Sequence, residues 1–293
     1  MTEKPPAGHS HHRQDEPPET GGPEGKQSIR NPETGTRLSA LEIHENIRAP
    51  AVEEMERPAS SLFFSSLAAG MLIAFSFLAS GYVHSFVPEP YTDAAITLVY
   101  PLGFLFVVIG RSELFTENTL EPVIPLLHNK DGETLRKMMR LWGILIIGNL
   151  LGALIVAWIA GRTGMVEDKL APHLQEVAAR ATDGGFGTVF YKAIFAGWLI
   201  ALLAWLLAAT QDTIAQIALI WLTTAPIHAF HFRHSIAGSV EAFYRAVTGT
   251  AQWGEMLGGF IVPALLGNAI GGVVLVALFN YAQVAEEHAQ KNG

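Results

Sequence analysis

The chain has 293 residues, a formal net charge of −8, an apolar fraction of 49 % and a positive mean hydropathy of +0.28. Several of its apolar runs reach the length of about 20 residues that crosses a bilayer as a helix, which a soluble domain would not contain. The absence of cysteine excludes disulfide frameworks, thiol nucleophiles and thiolate metal sites. The composition therefore indicates a polytopic membrane protein.

The two ends of the chain are polar. Residues 1–38 are rich in Pro, Gly and Glu, show no secretory signal pattern and are predicted to be a disordered tail. Residues 39–58 have apolar residues at a spacing that fits an amphipathic helix on the membrane surface, although a polar tail with scattered apolar residues fits as well. Residues 285–293 are predicted to be a second polar tail.

Between these ends, residues 59–284 are predicted to form a six-span membrane domain. The six apolar segments are 62–86, 94–127, 141–160, 190–209, 214–247 and 259–281. The second and fifth segments are too long for one span, and both are interrupted by charged residues. Basic residues precede the first segment and follow the second, whereas 87–93 contains none, so we expect both termini to face the cytoplasm.

An internal repeat divides the domain into two halves. Residues 148–152 read Gly-Asn-Leu-Leu-Gly, and residues 267–271 read Gly-Asn-Ala-Ile-Gly. A second match, Ala-Gly-x-Leu-Ile-Ala, begins at Ala69 and at Ala196. Because each half has three spans, the second half must enter the membrane from the opposite side, as in the inverted repeats of many transporters. Gly148 and Gly267 indicate close helix packing, and Asn149 and Asn268 are candidates to bind exposed backbone.

The interrupted segments predict two broken helices. A shift of 119 residues superposes the Gly-Asn strings and places Phe115 opposite His234. Charge and non-helical backbone inside a bilayer are tolerated only within protein or along a wet cavity. We therefore expect the breaks to meet at the pseudo-two-fold axis, where the free amides and positive ends of the following half-helices attract a small anion. Alternatively, Arg111, Glu113 and Arg233 are buried ion pairs that hold the two turns.

These turns resemble those of the formate/nitrite transporter family, over about residues 62–281. Residues 113–116 (Glu-Leu-Phe-Thr) and 234–237 (His-Ser-Ile-Ala) are similar to the turns in the second and fifth spans of that family, and the Gly-Asn-x-x-Gly strings also fit. The chain is identified as a divergent member. The resemblance implies an all-α polytopic membrane protein with six transmembrane helices in two inverted three-helix repeats. The second and fifth helices would be broken, as in aquaporins. It also implies a homopentamer in the bacterial inner membrane.

The resemblance further implies a pore with a central histidine, His234, and a hydroxyl neighbour, Thr116. The residues expected along the path are His234, Thr116, Phe115, Leu114, Ile227 and Ser235. Leu114, Phe115 and Ile227 would lie at or near hydrophobic constrictions. Family substrates are small monovalent anions of weak acids, such as formate, nitrite, hydrosulfide, lactate and acetate. A proton lent by His234 would let the substrate cross the constrictions as a neutral acid.

The chain departs from the family pattern in its charges. Arg233 replaces an acidic residue, Glu241 occupies an apolar position, and Gly238 replaces an asparagine. The residues expected to modulate charge in the pore are Arg233, Glu241, Glu113, Arg111 and Glu117. At contact distance one unit charge contributes about 4 kcal/mol at an effective dielectric of 20, which is enough to reverse ion selectivity.

Three functions follow from these patterns. The first is a channel or proton-linked transporter for a small monovalent anion. The second is a cation-conducting variant of the same scaffold, suggested by Glu117 and Glu241. The third is a non-conducting membrane protein whose extra charges are locked in salt bridges. We find no phosphate loop, no nucleophile with a matched base and no cofactor motif, so no enzyme, cofactor or nucleic-acid partner is predicted. The spacing of His228, His231 and His234 does not define a metal site, and none is predicted.

Overall fold

A computed structural model describes residues 1–2 and 38–274. The predicted N-terminal tail lies outside the described residues from residue 3 to residue 37. The end of the sixth apolar segment and the predicted C-terminal tail, within 275–293, also lie outside them. The described part of the chain is helical and contains no β-strand. This agrees with the all-α class expected from the sequence.

The first helix, α1 (Ala40–Glu56), precedes the spans and packs against the bundle. Ser39 begins it with a capping box, in which Ser39 Oγ accepts from Glu42 N at 3.3 Å and Glu42 Oε2 accepts from Ser39 N at 2.7 Å. The helix buries Ile47, Ala51 and Met55. Its position defines one end of the molecule, which we call the α1 side.

Five helical segments are long and apolar enough to cross a membrane by length and composition. They are Ala59–His84, Thr92–Ile109, Gly132–Arg162, Phe186–Leu207 and Glu255–Gly272. These segments contain the helices α2 (Ala59–Leu72), α3 (Ala74–His84), α4 (Thr92–Val99), α5 (Leu102–Ile109), α7 (Gly132–Arg162), α9 (Phe186–Leu207) and α12 (Val262–Gly272). A short helix outside them, α6 (Val123–Asn129), precedes α7. The start of the last segment, Glu255–Ile261, is π-helical. Each of the five falls within or overlaps one apolar segment of the sequence.

The remaining apolar segment contains two helices, α10 (Thr213–Ala229) and α11 (Ser235–Thr248). The former is apolar but shorter than a full span. One helix was not predicted from the sequence: α8 (Ala171–Ala181) lies between α7 and α9 and buries Leu174, Val177 and Ala178. The end of the molecule that carries α8 is called the α8 side.

Both over-long segments are interrupted in the same way. After α5 the chain turns through Arg111, with φ 55°, and after α10 it turns through His231, with φ 53°. In each case the next residue donates back to the helix, Ser112 N to Val107 O at 3.0 Å and Phe232 N to Ile227 O at 2.9 Å. Both helices therefore end in a Schellman motif. The residue in the left-handed conformation is Arg111 in one and His231 in the other, rather than the usual glycine.

The register of the two breaks differs from the one predicted. Positions 111 and 231 are 120 residues apart, whereas the Gly-Asn strings are 119 apart. The prediction that Phe115 is equivalent to His234 was therefore wrong by one residue, and Leu114 is the equivalent residue. The physical reason is that the linker between break and following span is one residue shorter in the second half, so one shift cannot align both features.

Glycine lets the spans approach within backbone contact. A Cβ at Gly70 on α2 would overlap the backbone of Asn149 on α7, and a Cβ at Gly197 on α9 would overlap the backbone of Asn268 on α12. A Cβ at Gly148 would overlap the Ser66 hydroxyl, and one at Gly267 would lie 2.5 Å from Phe190 O. Small residues at such crossings are the usual way in which membrane helices pack closely.

We predict that Gly152→Ala destabilises the protein by about 1–3 kcal/mol, because its Cβ would overlap the α2 backbone at Leu67. Gly143→Ala is the matched control in the same helix, since nothing lies within 4 Å of a Cβ there. The control should unfold at the same temperature as the parent or slightly higher. Thermal unfolding in detergent measures both, and equal unfolding temperatures for the two variants would contradict the packing account.

Candidate functional site

His234 lies at the second break and begins α11. Its Nδ1 accepts a hydrogen bond from Ala237 N at 3.1 Å, so the ring caps the helix. Its Nε2 lies 2.8 Å from Thr116 Oγ1 in the first break. Because Nδ1 is an acceptor, the neutral ring carries its proton on Nε2 and donates it to the Thr116 hydroxyl. The two breaks therefore meet through one side-chain hydrogen bond, with His234 2 % exposed and Thr116 fully buried.

Two buried asparagines hold the breaks to the neighbouring spans. Asn149 Oδ1 accepts from Phe115 N at 2.8 Å, and its Nδ2 donates to Ser66 O and Glu113 O at 2.8 Å each. The bonds to Phe115 N and Glu113 O satisfy backbone groups that the interrupted helix leaves free, and the bond to Ser66 O ties the break to α2.

The second asparagine repeats this arrangement. Asn268 Oδ1 accepts from Ser235 N at 2.7 Å, and its Nδ2 donates to Ala193 O at 2.7 Å and Arg233 O at 2.9 Å. The bonded break residues are again 120 positions apart, which is an independent sign that the two breaks are built alike.

A cavity of about 580 Å³ opens on the α1 side of this centre. Its charged lining residues are Arg111, Glu113, Glu117 and Glu121. The α1 residues Asn46, Ile47 and Pro50 line the same cavity. Glu113 is paired with Arg57, whose Nη1 lies 2.8 Å from Glu113 Oε1. Sequence reasoning named Glu113 but missed both this partner and Glu121.

A narrower cavity of about 50 Å³ lies on the α8 side and reaches His234. Ile227, Arg233 and Glu241 line it, together with Tyr100 and His228. Leu114, Phe115, Thr116 and Ser235 are buried at 1 %, 2 %, 0 % and 0 % exposure, and none of these four residues lines either cavity. The structure thus joins His234 and Thr116 in one contact and places Ile227, Arg233 and Glu241 along the α8-side cavity. Arg111, Glu113 and Glu117 line the α1-side cavity instead.

The outer end of the α8-side cavity is charged. Arg180 on α8 forms ion pairs with Asp93 at 3.3 Å and with Glu176 at 2.7 Å. The hydrogen bond from Arg180 lowers the pKa of the Glu176 carboxyl below its ordinary value. Within residues 38–274 no group of three acidic or histidine side chains is arranged to hold a metal ion.

The sequence matches a known family over most of its length. The family profile described as "Formate/nitrite transporter" covers residues 41–282. The chain belongs to the formate/nitrite transporter family. A relative in the family, the inner membrane protein YfdC of Escherichia coli K12, is 32 % identical over 253 residues, covering 86 % of this chain and 81 % of that protein.

Solved structures in the family share the fold. One described as "FNT family ion channel" superposes with a TM-score of 0.73 at 20 % identity, covering 82 % of this chain and 98 % of that chain. Another, described as "Pentameric formate channel with formate bound", gives a TM-score of 0.64 at 24 % identity and covers 76 % and 96 %. These likenesses confirm the predicted fold class of an all-α, multi-pass membrane protein. The family consists of transporters and channels rather than enzymes.

We predict that Asn268→Leu in this family member lowers the yield of folded protein and its unfolding temperature. The change leaves Ser235 N and Arg233 O at the break without their partner, whereas Ala193 O still accepts within helix α9. Each unsatisfied buried group costs about 1–3 kcal/mol. Gln252→Leu, at an exposed position before the last span, is the control and should behave as the parent. Normal yield and stability of Asn268→Leu would show that the break holds its shape without this side chain.

Proposed function

We propose that the chain is a membrane channel or transporter for small monovalent anions of weak acids, of the formate/nitrite type, with passage linked to protons through His234. The observation that carries the proposal is the 2.8 Å contact between His234 Nε2 and Thr116 Oγ1, placed between two cavities. The formate-bound relative supports the substrate class, because its fold is shared.

The centre is arranged to donate to an anion. His234 Nε2–H donates to Thr116 Oγ1, so the threonine hydroxyl is left to donate its own proton onward. Donors in such a chain polarise one another, which strengthens the last hydrogen bond. The positive end of α11 lies at the same point, since His234 is the cap of that helix. An anion next to Thr116 would therefore replace part of the hydration that it loses in the apolar layer.

Linkage to protons follows from the second ring nitrogen. His234 can accept a further proton only at Nδ1, and doing so breaks the hydrogen bond from Ala237 N. The imidazolium then passes its Nε2 proton through the Thr116 hydroxyl to the anion, which leaves as the acid. The ring is left neutral with its proton on Nδ1, and exchange of that proton for one at Nε2 restores the hydrogen bond from Ala237 N. An anion beside the ring compensates the charge of this intermediate, so proton uptake and anion arrival support each other.

The setting of the protein is part of the same proposal. We infer a homopentamer in the bacterial inner membrane, in contact with lipid and with both termini cytoplasmic. The pentamer is suggested by the assembly of the formate-bound relative. The orientation is suggested by the basic residues that precede the first span and follow the second. The α1 side would then face the cytoplasm.

A second candidate function is cation conduction. It is favoured by the α1-side cavity, where Glu113, Glu117 and Glu121 outnumber Arg111. In the described part of the chain, neither Arg111 nor Glu117 takes part in an ion pair within 4.0 Å, so both charges act on the cavity.

We predict that Thr116→Val and His234→Ala each reduce formate uptake into proteoliposomes by about 10–100-fold. Each variant removes the hydrogen bond between His234 and Thr116, which would support the negative charge of formate. A hydrogen bond to a charged group contributes about 1.5–3 kcal/mol. Thr163→Val, at the exposed end of α7, is the control and should transport as the parent does. Uptake is measured with and without an inward proton gradient. Unchanged uptake in both site variants would remove His234 and Thr116 from the path.

A planar bilayer under asymmetric sodium formate should develop no potential that follows sodium, and formate should cross it without net current. This outcome is expected because an anion that takes up a proton at His234 and leaves as the acid carries no net charge. A potential that follows sodium would instead establish the cation-conducting candidate. The parent chain is the only protein that this measurement needs, so it does not depend on how a variant folds.

A further inference from the structure

Two histidines join α8 to the end of the first span. His84 is the last residue of α3, His173 lies in the first turn of α8, and their Nδ1 atoms are 2.9 Å apart. One ring donates its Nδ1 proton and the other accepts it. The neutral pair can take up one proton at the free Nε2 of the donating ring and keep this contact. A second proton can go only to the accepting Nδ1, which ends the contact and places two like charges side by side.

The charged groups around the pair do not compensate a second imidazolium. Glu176 Oε2 lies 3.6 Å from His84 Nε2, so it favours the first protonation. Glu176 is already bound to Arg180 at 2.7 Å. In residues 38–274 no second carboxylate lies within 4.0 Å of either histidine. The other charged or titratable groups that face this region from the neighbouring elements are Glu89, Asp93, His228, His231, Arg233, Glu241 and Arg245.

Helix α8 forms part of the wall at the outer end of the α8-side cavity. Val177, Arg180 and Ala181 line the cavity from α8, and His84 lines it from α3. The cavity has a volume of only about 50 Å³ and is the approach to His234 from this side. A movement of α8 away from α3 therefore widens the entrance that a small ion must use.

The two edges of α8 are attached by different chemistry. Towards α3 it is held by the histidine contact and by Leu174, which occupies the space that a side chain at Gly81 would need. Towards α11 it is held by hydrogen bonds that involve no histidine. Gln175 Nε2 donates to Thr248 Oγ1 at 2.7 Å, and Thr182 Oγ1 accepts a second bond of 2.7 Å from α11. Loss of the histidine contact therefore leaves α8 attached at its α11 edge.

We propose that His84 and His173 form a pH-sensitive latch, which holds α8 over the outer mouth of the cavity and releases it when the pair takes up a second proton. Imidazoles change charge between about pH 5 and 8, so the mouth is narrow at the alkaline end of this range and wide at the acidic end. The movement of α8 does not depend on the transported ion, whereas its effect on flux rests on the anion function proposed above. In the orientation proposed there, the latch opens when protons are plentiful outside, which is the condition that favours proton-linked uptake.

A distance measurement tests the latch directly. The chain contains no cysteine, so spin labels attach only where a cysteine is introduced. Tyr82→Cys on α3 and Ala179→Cys on α8 are exposed positions on the two sides of the contact. The labelled full-length chain is diluted with unlabelled chain, so that the distances arise within one subunit. In detergent, the distance between the labels should be longer at about pH 5 than at about pH 8.

His173→Gln is the matched variant, because its amide can bond to His84 Nδ1 without taking up a proton. The label distance in this variant should stay short at both pH values. His173→Lys places a permanent positive charge beside His84 and should lengthen the distance already at about pH 8. His128→Gln, at an exposed position in α6, controls for the loss of a histidine and should keep the pH response. A distance that does not change with pH in the parent, or that changes equally in His173→Gln, would overturn the latch.

Formate uptake into proteoliposomes connects the movement to the mouth. Initial rates of the parent and of His173→Gln are compared at an alkaline and an acidic external pH, with the pH difference across the membrane held constant. The ratio of parent to variant uptake should rise by at least about threefold at the acidic pH. An equal ratio at both pH values would overturn the role of α8 at the mouth. If the parent takes up no formate while α8 still moves with pH, the proposed function fails and the latch stands.

Discussion

Backbone groups inside a bilayer must find partners within the protein, and this constraint underlies the rest of the structure. Each broken helix frees amide and carbonyl groups at the depth where water is scarce. Asn149 and Asn268 supply an acceptor and two donated hydrogen bonds each, at matching positions of the two breaks. Glycines at the same crossings bring the asparagines close enough to reach. Only with both breaks held in this way can His234 and Thr116 meet.

Much of this arrangement was visible in the sequence, because charges inside apolar runs indicate interrupted spans and the repeated Gly-Asn strings relate the two halves. The register between the two breaks was not visible in the sequence. A repeated string defines the residue shift between the two halves only in its own neighbourhood, and the linkers to the breaks differ in length. The ion pair of Arg57 with Glu113 joins residues from separate segments, and no local sequence pattern predicts it. Helix α8 had a weak signal in the spacing of Leu174, Val177 and Ala178, which a mixed-charge loop obscured.

The additional charges divide into two groups with different surroundings. Those on the α1 side face a wide cavity, where Arg57 already pairs with Glu113 and water can screen the remainder. Those on the α8 side line a far narrower space, in which Arg233 and Glu241 are almost fully buried. The same charge has a larger effect in the second setting, because less solvent screens it. Ion selectivity should therefore be more sensitive to Arg233 and Glu241 than to the more numerous glutamates of the α1-side cavity.

The cap that His234 provides to α11 couples chemistry to backbone structure. A ring that takes up a proton at Nδ1 can no longer accept from Ala237 N, so the first turn of the helix loses its side-chain cap at the moment the charge appears. Titration and local loosening would then be a single event rather than two steps in series. A side chain that capped this helix without titrating would keep the first turn closed at every pH. A side chain that titrated without capping the helix would leave the backbone unchanged.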